Sequence, residues 1–369
     1  MNVAAKIANA DVPAAFDTPG DVYNATPPRI VFGAGTVRTV ADEVERLGAK
    51  RALVVSTPGR GTLARNLAGH LGDLCIGLMP EAISQVPIEL ARACRGKASE
   101  MGADCLVSAG GGASIGLGKA IALELGLPII VIPTTYSGSE MTGFCGITID
   151  KVKRMHTSLR MLAATVIYDP ELTLSLPFDV SAASAMNALA HCVDGIYVPT
   201  ISPINALAAA RGASAITDGL RGVAADPDDL DARTQLLYGA YLGGAALTGG
   251  FALQHGLAHT LGGSFGVQHG LSHALVLAHV AAYNSDFASD QIGMIESALA
   301  VPSLGAAIFD LLAEVGLPNR LSEVGITEQQ VAEIVRITVE TDNGLNPGPV
   351  TEDAVRRITL AALRGDRPQ

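Results

Sequence analysis

The sequence predicts two halves of different class: an α/β half built on a parallel sheet, followed by an all-α half running to residue 369. Two observations predict this order. Up to about residue 176, short β-branched runs alternate with helical stretches, the pattern of strands joined by crossover helices. After DPELTLSLP (169–177) the chain becomes rich in Ala and Leu, periodic at helical spacing and poor in β-branched runs. A third observation concerns chemistry. Five of the eight histidines fall in the second half within HGLAHTLGGSFGVQHGLSHALVLAH, from His255 to His279.

Residues 1–24, with Pro13, Pro19 and Gly20, read as a loosely held arm. Residues 25–176 form the α/β domain and 177–369 the helical one. RALVVS (51–56), CIGLM (75–79), DCLVSA (104–109) and PIIVIP (128–133) are apolar, short and bounded by turn residues, so they read as buried parallel strands. Helical patterns run through Val37–Leu47, Thr62–Leu71, Pro87–Met101 and Ser114–Glu124.

The composition excludes several classes. An apolar fraction of 49% over 369 residues is enough to bury two cores, which rules out a disordered chain. A formal charge of −11 argues against nucleic acid or an acidic membrane surface as partner. No apolar run approaches the ~18 residues of a membrane span. MNVAAKIANADVPAAF lacks the apolar core of a secretory signal, so a cytoplasmic location is expected. The five cysteines are scattered without Cys-x-x-Cys, as small buried hydrophobes in a reducing compartment would be.

Two loops in the first half suit a phosphate. DCLVSAGGGASIGLGKAIAL reads as strand, glycine turn and helix, which would bring backbone N–H groups and a helix N-terminus to an anion. It is neither a Walker loop nor Gly-x-Gly-x-x-Gly. The next strand ends in PTTYSGSE (133–140), a second polar loop that would lie beside the first at the carboxyl edge of the sheet. This half is therefore expected to be a Rossmann-like dinucleotide-binding domain. Its candidate cofactor residues are Thr57, Gly111, Gly112, Ala113, Ser114, Thr134, Thr135, Ser137, Ser139 and Lys153. Ser56-Thr57-Pro58 follows the first of these strands with no acidic residue to exclude a 2′-phosphate, so NADPH is expected to be tolerated along with NADH.

In the helical half, Asn187 and His191, His255 and His259, and His269 and His273 are three i, i+4 pairs. Each would put two side chains on one helix face, with Cβ atoms about 6 Å apart. Gly262, Gly263 and Gly266 interrupt the segment, so the last pair can fold back towards the middle one. A lone histidine pair is usually structural; three pairs around one glycine-rich break suggest a site.

RIVFGAGT, GGGASIGLGKAIAL, PTTYSGSEMT, VIYDPELT, the Asn187–His191 pair and HGLAHTLGGSFGVQHGLSH occur in this order. Together they resemble the iron-containing alcohol dehydrogenase superfamily, and within it the maleylacetate reductases. The resemblance runs from about Arg29 onward. It implies the dehydroquinate synthase-like fold of that superfamily, a homodimer, and NAD(P)H-dependent reduction of 2-maleylacetate to 3-oxoadipate in aromatic compound degradation. Where the superfamily holds a divalent metal with one Asp and three His, this chain presents Asn187, His191, His255 and His269. The Asp has become Asn, which removes one charge from the ligand set, and His273 replaces a usual Asn. Both changes resemble the branch that works without a metal, so no metal is expected.

The substrate implied is a dicarboxylate with a C=C bond conjugated to a ketone. Hydride addition would leave an enolate. His255 and His259 are the candidate donors, with His191, His269 and Asn187 shaping the pocket. Tyr136, His273 and Arg160 are the candidate substrate-binding residues, and Lys153, Arg154, His156 and Arg160 form the nearby basic run. The nearest rival is a metal-dependent alcohol or glycerol dehydrogenase of the same fold, with Asn187 as a ligand. A lyase resembling 3-dehydroquinate synthase would want several lysines, and the helical half is poor in them. A non-enzymatic dinucleotide sensor is the remaining alternative.

Overall fold

A computed structural model of the chain describes residues 28–150 and 152–369. The N-terminal arm expected over residues 1–24 lies outside the described residues. The chain divides into two compact units between Leu176 and Pro177.

The first unit is a six-stranded sheet in the order β1-β8-β5-β4-β2-β3, and every pair in it is parallel. Its strands are β1 (Arg29–Phe32), β2 (Ala52–Val55), β3 (Cys75–Met79), β4 (Cys105–Gly110), β5 (Ile129–Pro133) and β8 (Thr165–Tyr168). The helices are α1 (Val40–Arg46), α2 (Gly61–Leu71), α3 (Ile88–Glu100) and α4 (Gly112–Leu125). Side chains alternate along each strand, so two cores are needed. Val54, Val107, Ile130, Ile132 and Ile167 pack with Val40, Val44, Leu67 and Leu71 of α1 and α2. Leu53, Leu106, Ile129, Val131 and Val166 point the other way and are equally buried. Burial on both faces is why these strands are continuous apolar runs.

Three differences from the sequence reading have local causes. The helix expected from Val37 opens as one 3₁₀ turn, Thr36–Thr39, before α1 begins. Asp169 holds that turn by accepting the N–H groups of Gly35 and Val37. The helix expected from Ser114 starts at Gly112, with Gly111 as its extended N-cap. The basic stretch around Arg154, to which the sequence reading gave no element, is strand: β6 (Phe144–Ile149) and β7 (Val152–Thr157) form an antiparallel hairpin apart from the main sheet.

The second unit is helical: α5 (Phe178–Ile196), α6 (Pro203–Ala225), α7 (Leu230–Leu247), α8 (Leu253–Ser264), α9 (His269–Ser285), α10 (Ser289–Leu299), α11 (Leu304–Glu314), α12 (Val331–Glu340) and α13 (Glu352–Arg364). One core joins Leu253, Leu257 and Leu261 of α8 to Leu275, Val276 and Val280 of α9 and to Ile334, Val335, Val355 and Ile358 of α12 and α13. Truncating Leu257 to Ala would cost about 2–5 kcal/mol there. Among the described residues no single helix is long and apolar enough to cross a membrane; α10 and α11, bent by 42°, meet that test only as a pair.

Candidate active site

In the sheet unit, the loops after β4 and β5 lie side by side. The N–H of Thr134 donates to the carbonyl oxygen of Gly110 at 3.0 Å, tying them together. Gly110 has φ +136°, and a Cβ there would fall 2.5 Å from Ser114 Oγ, so the turn into α4 requires glycine. The first N–H groups of α4, on Gly112, Ala113 and Ser114, have no intrahelical acceptor by the geometry of any helix start. Ser114 Oγ and Thr134 Oγ1 are buried without a hydrogen-bond partner among the described residues. Ser137 Oγ and Ser139 Oγ stand 3.3 Å apart. Thr57 caps the 3₁₀ turn after β2, next to β4 in the sheet. These N–H and hydroxyl groups all lie at the carboxyl ends of β2, β4 and β5.

Lys119, which the sequence reading passed over, organises the second loop. Its side chain is fully buried, and Nζ donates to Ser139 O (2.6 Å), Thr142 Oγ1 (3.2 Å) and Phe144 O (3.0 Å). Burial depresses its pKa to about 8, partly offset by Cys145 and Glu140. Tyr136 is fully buried in this unit, while Arg154 and Arg160 are exposed. Lys153 pairs through its backbone with Thr148 in the hairpin; its side chain lies outside the described atoms.

In the helical unit, the break at residues 265–268 turns the chain back, as the glycines implied, and α8 and α9 pack together. Gly270 sets the distance of α9 from α5: a Cβ there would fall 2.6 Å from the carbonyl oxygen of Ala183. Only glycine permits that approach, which brings His273 to the face of α5 that carries His191. The five rings form one continuous group. His191 stacks on His255 at 5.1 Å between centroids, and His255 meets His273 at 4.7 Å and His259 at 5.8 Å. His269, at the exposed start of α9, stacks on His259 at 6.1 Å and meets His273 at 4.8 Å. The structure therefore gathers His191, His255, His259, His269 and His273, with Asn187 one turn before His191.

The electrostatics are unusual for a core. Asn187, His191, His255 and His273 are buried, and Asn187 Oδ1, His191 Nδ1, His255 Nε2 and His273 Nε2 have no partner among the described residues. Burial, and secondarily the neighbouring imidazoles, hold the pKa values of His191 and His273 well below the usual histidine range. Two residues outside the candidate site residues of the sequence reading anchor the group. Asp194, fully buried on α5, sits 2.8 Å from His255 Nδ1, and Gln254 Oε1 sits 3.2 Å from His273 Nδ1. Asp194 left one signal in the sequence: an acid three residues beyond His191 in an otherwise apolar stretch.

Residues 27–170 match the family described as iron-containing alcohol dehydrogenase, and residues 181–363 match the C-terminal region of the Fe-containing alcohol dehydrogenase family. The chain belongs to the iron-containing alcohol dehydrogenase family. Within it, a maleylacetate reductase of Burkholderia cepacia is 44% identical, over 94% of this chain and 99% of that one. The crystal structure of maleylacetate reductase from Rhizobium sp. strain MTP-10005 superposes with a TM-score of 0.90 at 39% identity, covering 94% of this chain and 99% of that one. An iron-containing alcohol dehydrogenase from Corynebacterium glutamicum gives 0.91 at 37% identity, covering 95% and 99%.

This membership corrects the expectation that no metal takes part, because the family is iron-containing. The sequence argument counted the charge lost at Asn187 and missed the buried carboxylate of Asp194 behind His255, which restores a negative charge next to the ligand set. The donors fit a divalent ion. Asn187 Oδ1, His191 Nδ1 and His255 Nε2 are buried without partners among the described residues, and a carboxylate backing a ligating imidazole is the usual outer arrangement of such sites. Among the described residues no group of three or more His, Cys, Asp or Glu side chains is placed to hold an ion, and Asn187 Oδ1 is a further buried donor without a partner there, alongside His191 and His255.

Proposed function

We propose that the chain is a maleylacetate reductase, using NAD(P)H to reduce the C=C bond of 2-maleylacetate to 3-oxoadipate. The observation that carries this reading is the cluster of five imidazoles, set on a chain that matches maleylacetate reductases over 94% of its length. The sheet unit acts as the dinucleotide-binding domain. Gly111–Ser114 and Thr134–Ser139 hold the pyrophosphate, and Lys119 keeps the second loop in shape.

The reaction adds hydride from nicotinamide C4 to the alkene carbon far from the ketone. The electron pair moves to the ketone oxygen as an enolate, and a proton then joins the carbon next to the carbonyl. A divalent ion held by Asn187, His191 and His255 would supply Lewis-acid polarisation of the carbonyl. His191 and His273 stay neutral because they are buried, so they shape the pocket without adding charge. His259, half-buried and T-shaped against His255, passes a proton between the cluster and solvent, a general-acid role suited to imidazole. The substrate's two carboxylates need cations, and Arg160 is the exposed candidate.

The same reading places the enzyme in the cytoplasm as a homodimer within aromatic compound degradation. Loss of NADH absorbance on adding maleylacetate tests the reaction, and no loss would reject it. Alcohol oxidation is the second reading, favoured by the unpaired donors at Asn187, His191 and His255. Turnover of NAD⁺ with small alcohols, abolished by a chelator, would support it instead.

A further inference from the structure

We infer that Asp194 and Gln254 are paired positioning residues that lock His255 and His273 into one tautomer, with both Nε2 atoms turned out as bare lone pairs. The inference deepens the proposed function by saying which atoms of the cluster do the work, but its geometry stands apart from the reaction.

Asp194 is fully buried at the C-terminal end of α5, and both its oxygens are engaged. Oδ1 accepts the hydroxyl of Tyr197 at 2.6 Å. Oδ2 accepts the backbone N–H groups of Ala252 (2.6 Å) and His255 (3.3 Å), which pin the start of α8, and faces His255 Nδ1 at 2.8 Å. A carboxylate can only accept, so Nδ1 carries the proton. Nε2 of a neutral His255 is then unprotonated, and it is buried without a partner among the described residues.

Gln254 does the same for the next ring. Its Nε2 donates to the backbone carbonyl of His273 at 3.1 Å, and that oxygen is an acceptor only. This fixes the amide's orientation and turns Oε1 to His273 Nδ1 at 3.2 Å. Again Nδ1 is the donor and Nε2 is left bare and buried. Neighbours in sequence, Gln254 and His255 thus serve different rings. One residue positions His273; the other is positioned by Asp194.

A buried imidazole nitrogen that carries no proton is an acceptor only. Two such atoms repel an enolate oxygen and attract a proton or a cation. Each Nε2 can therefore accept a hydrogen bond or take an electrophile, and neither can itself donate to the anion that develops during reduction. Catalysis by bare neutral imidazoles donating from Nε2 is excluded for these two rings.

Nitrogen-15 NMR of protein carrying labelled histidine tests this directly, with the two rings assigned by signals lost in His255→Gln and His273→Gln. Wild type should show a protonated Nδ1 and an unprotonated Nε2 on both. Asp194→Asn should keep the His255 pattern, because its amide oxygen must still face the two backbone N–H groups. Asp194→Ala should lose it and cut turnover roughly ten- to hundredfold. Gln254→Leu should change His273 and leave His255 as it was. An Nε2–H tautomer in wild type, or a His255 pattern that survives in folded Asp194→Ala, would overturn the inference. If Asp194→Ala does not fold, the wild-type and Gln254→Leu spectra decide. Expected tautomers without maleylacetate turnover would sink the functional reading and leave this one standing.

Discussion

Asp169 and Asp194 are both fully buried aspartates, one in each unit, and they differ in what their partners do next. Among the described residues Asp169 accepts only backbone N–H groups, from Gly35, Val37 and Glu171, at 3.0–3.1 Å. Every one of those groups ends there, and the result is a fixed turn where β1 and β8 leave the sheet. Asp194 also holds backbone, but one of its bonds goes to an imidazole whose far nitrogen is unpaired. A buried carboxylate whose partners are all satisfied reads as structure. One that passes polarisation to an unsatisfied atom reads as chemistry.

The largest effect that would sharpen this contrast lies at the end of the Asp194 chain. His255→Ala should lower turnover by about 10²–10⁴-fold, the usual worth of a positioned imidazole, while NADH affinity measured by fluorescence stays close to wild type. Unchanged turnover would remove His255 from the mechanism. Asp169→Ala should do the reverse. It orphans three N–H groups at once, so urea unfolding should show a loss of about 3–5 kcal/mol, with the turnover of the folded enzyme little altered. A turnover loss like that of His255→Ala, at unchanged stability, would break the distinction between the two aspartates.

How much of this was legible in the sequence follows from the range of each interaction. β2, β4 and β5 are apolar runs buried on both faces, and composition alone locates them; β3 is an edge strand with Leu78 exposed, yet its run is apolar enough to be located the same way. β1 and β8 are four-residue strands, too short to show a period, and the β6–β7 hairpin was hidden by the charges of Lys153 and Arg154. The histidine pairs were legible because i, i+4 spacing on a helix is local. Asp194, Gln254 and Lys119 were not. Asp194 reaches a ring 61 residues away, and Gln254 reaches one 19 residues away across the α8–α9 turn. Lys119 acts through carbonyl oxygens, which leave no mark in a sequence.

Lys119 extends the comparison, because it is a buried charge with its donors satisfied. Its pKa lies near 8 in the fold against 10.5 for an ordinary lysine. Between those values the unfolded chain holds the proton and the folded chain does not, so stability rises with pH across that window. Wild type should therefore gain roughly 3 kcal/mol relative to Lys119→Met from pH 8 towards 10.5. A flat difference would mean that the three acceptors hold the ammonium charged in spite of burial.

The smallest effect belongs to His279, on α9 but outside the ring cluster. Burial against Phe309 lowers its pKa to about 4, partly opposed by Asp366. The unfolded chain takes up a proton near 6.5 while the folded one stays neutral, so this residue destabilises the fold as pH falls from 6.5 towards 4. His279→Leu should remain within about 1 kcal/mol of wild type at neutral pH. It should then outlast wild type on acidification, by roughly 2–3 kcal/mol near pH 4 in denaturant titrations. Part of the acid sensitivity will survive in that variant, because His191 and His273 are also kept neutral by burial. If all of it survives, the acid sensitivity lies with the active-site rings and not with their neighbour on the same helix.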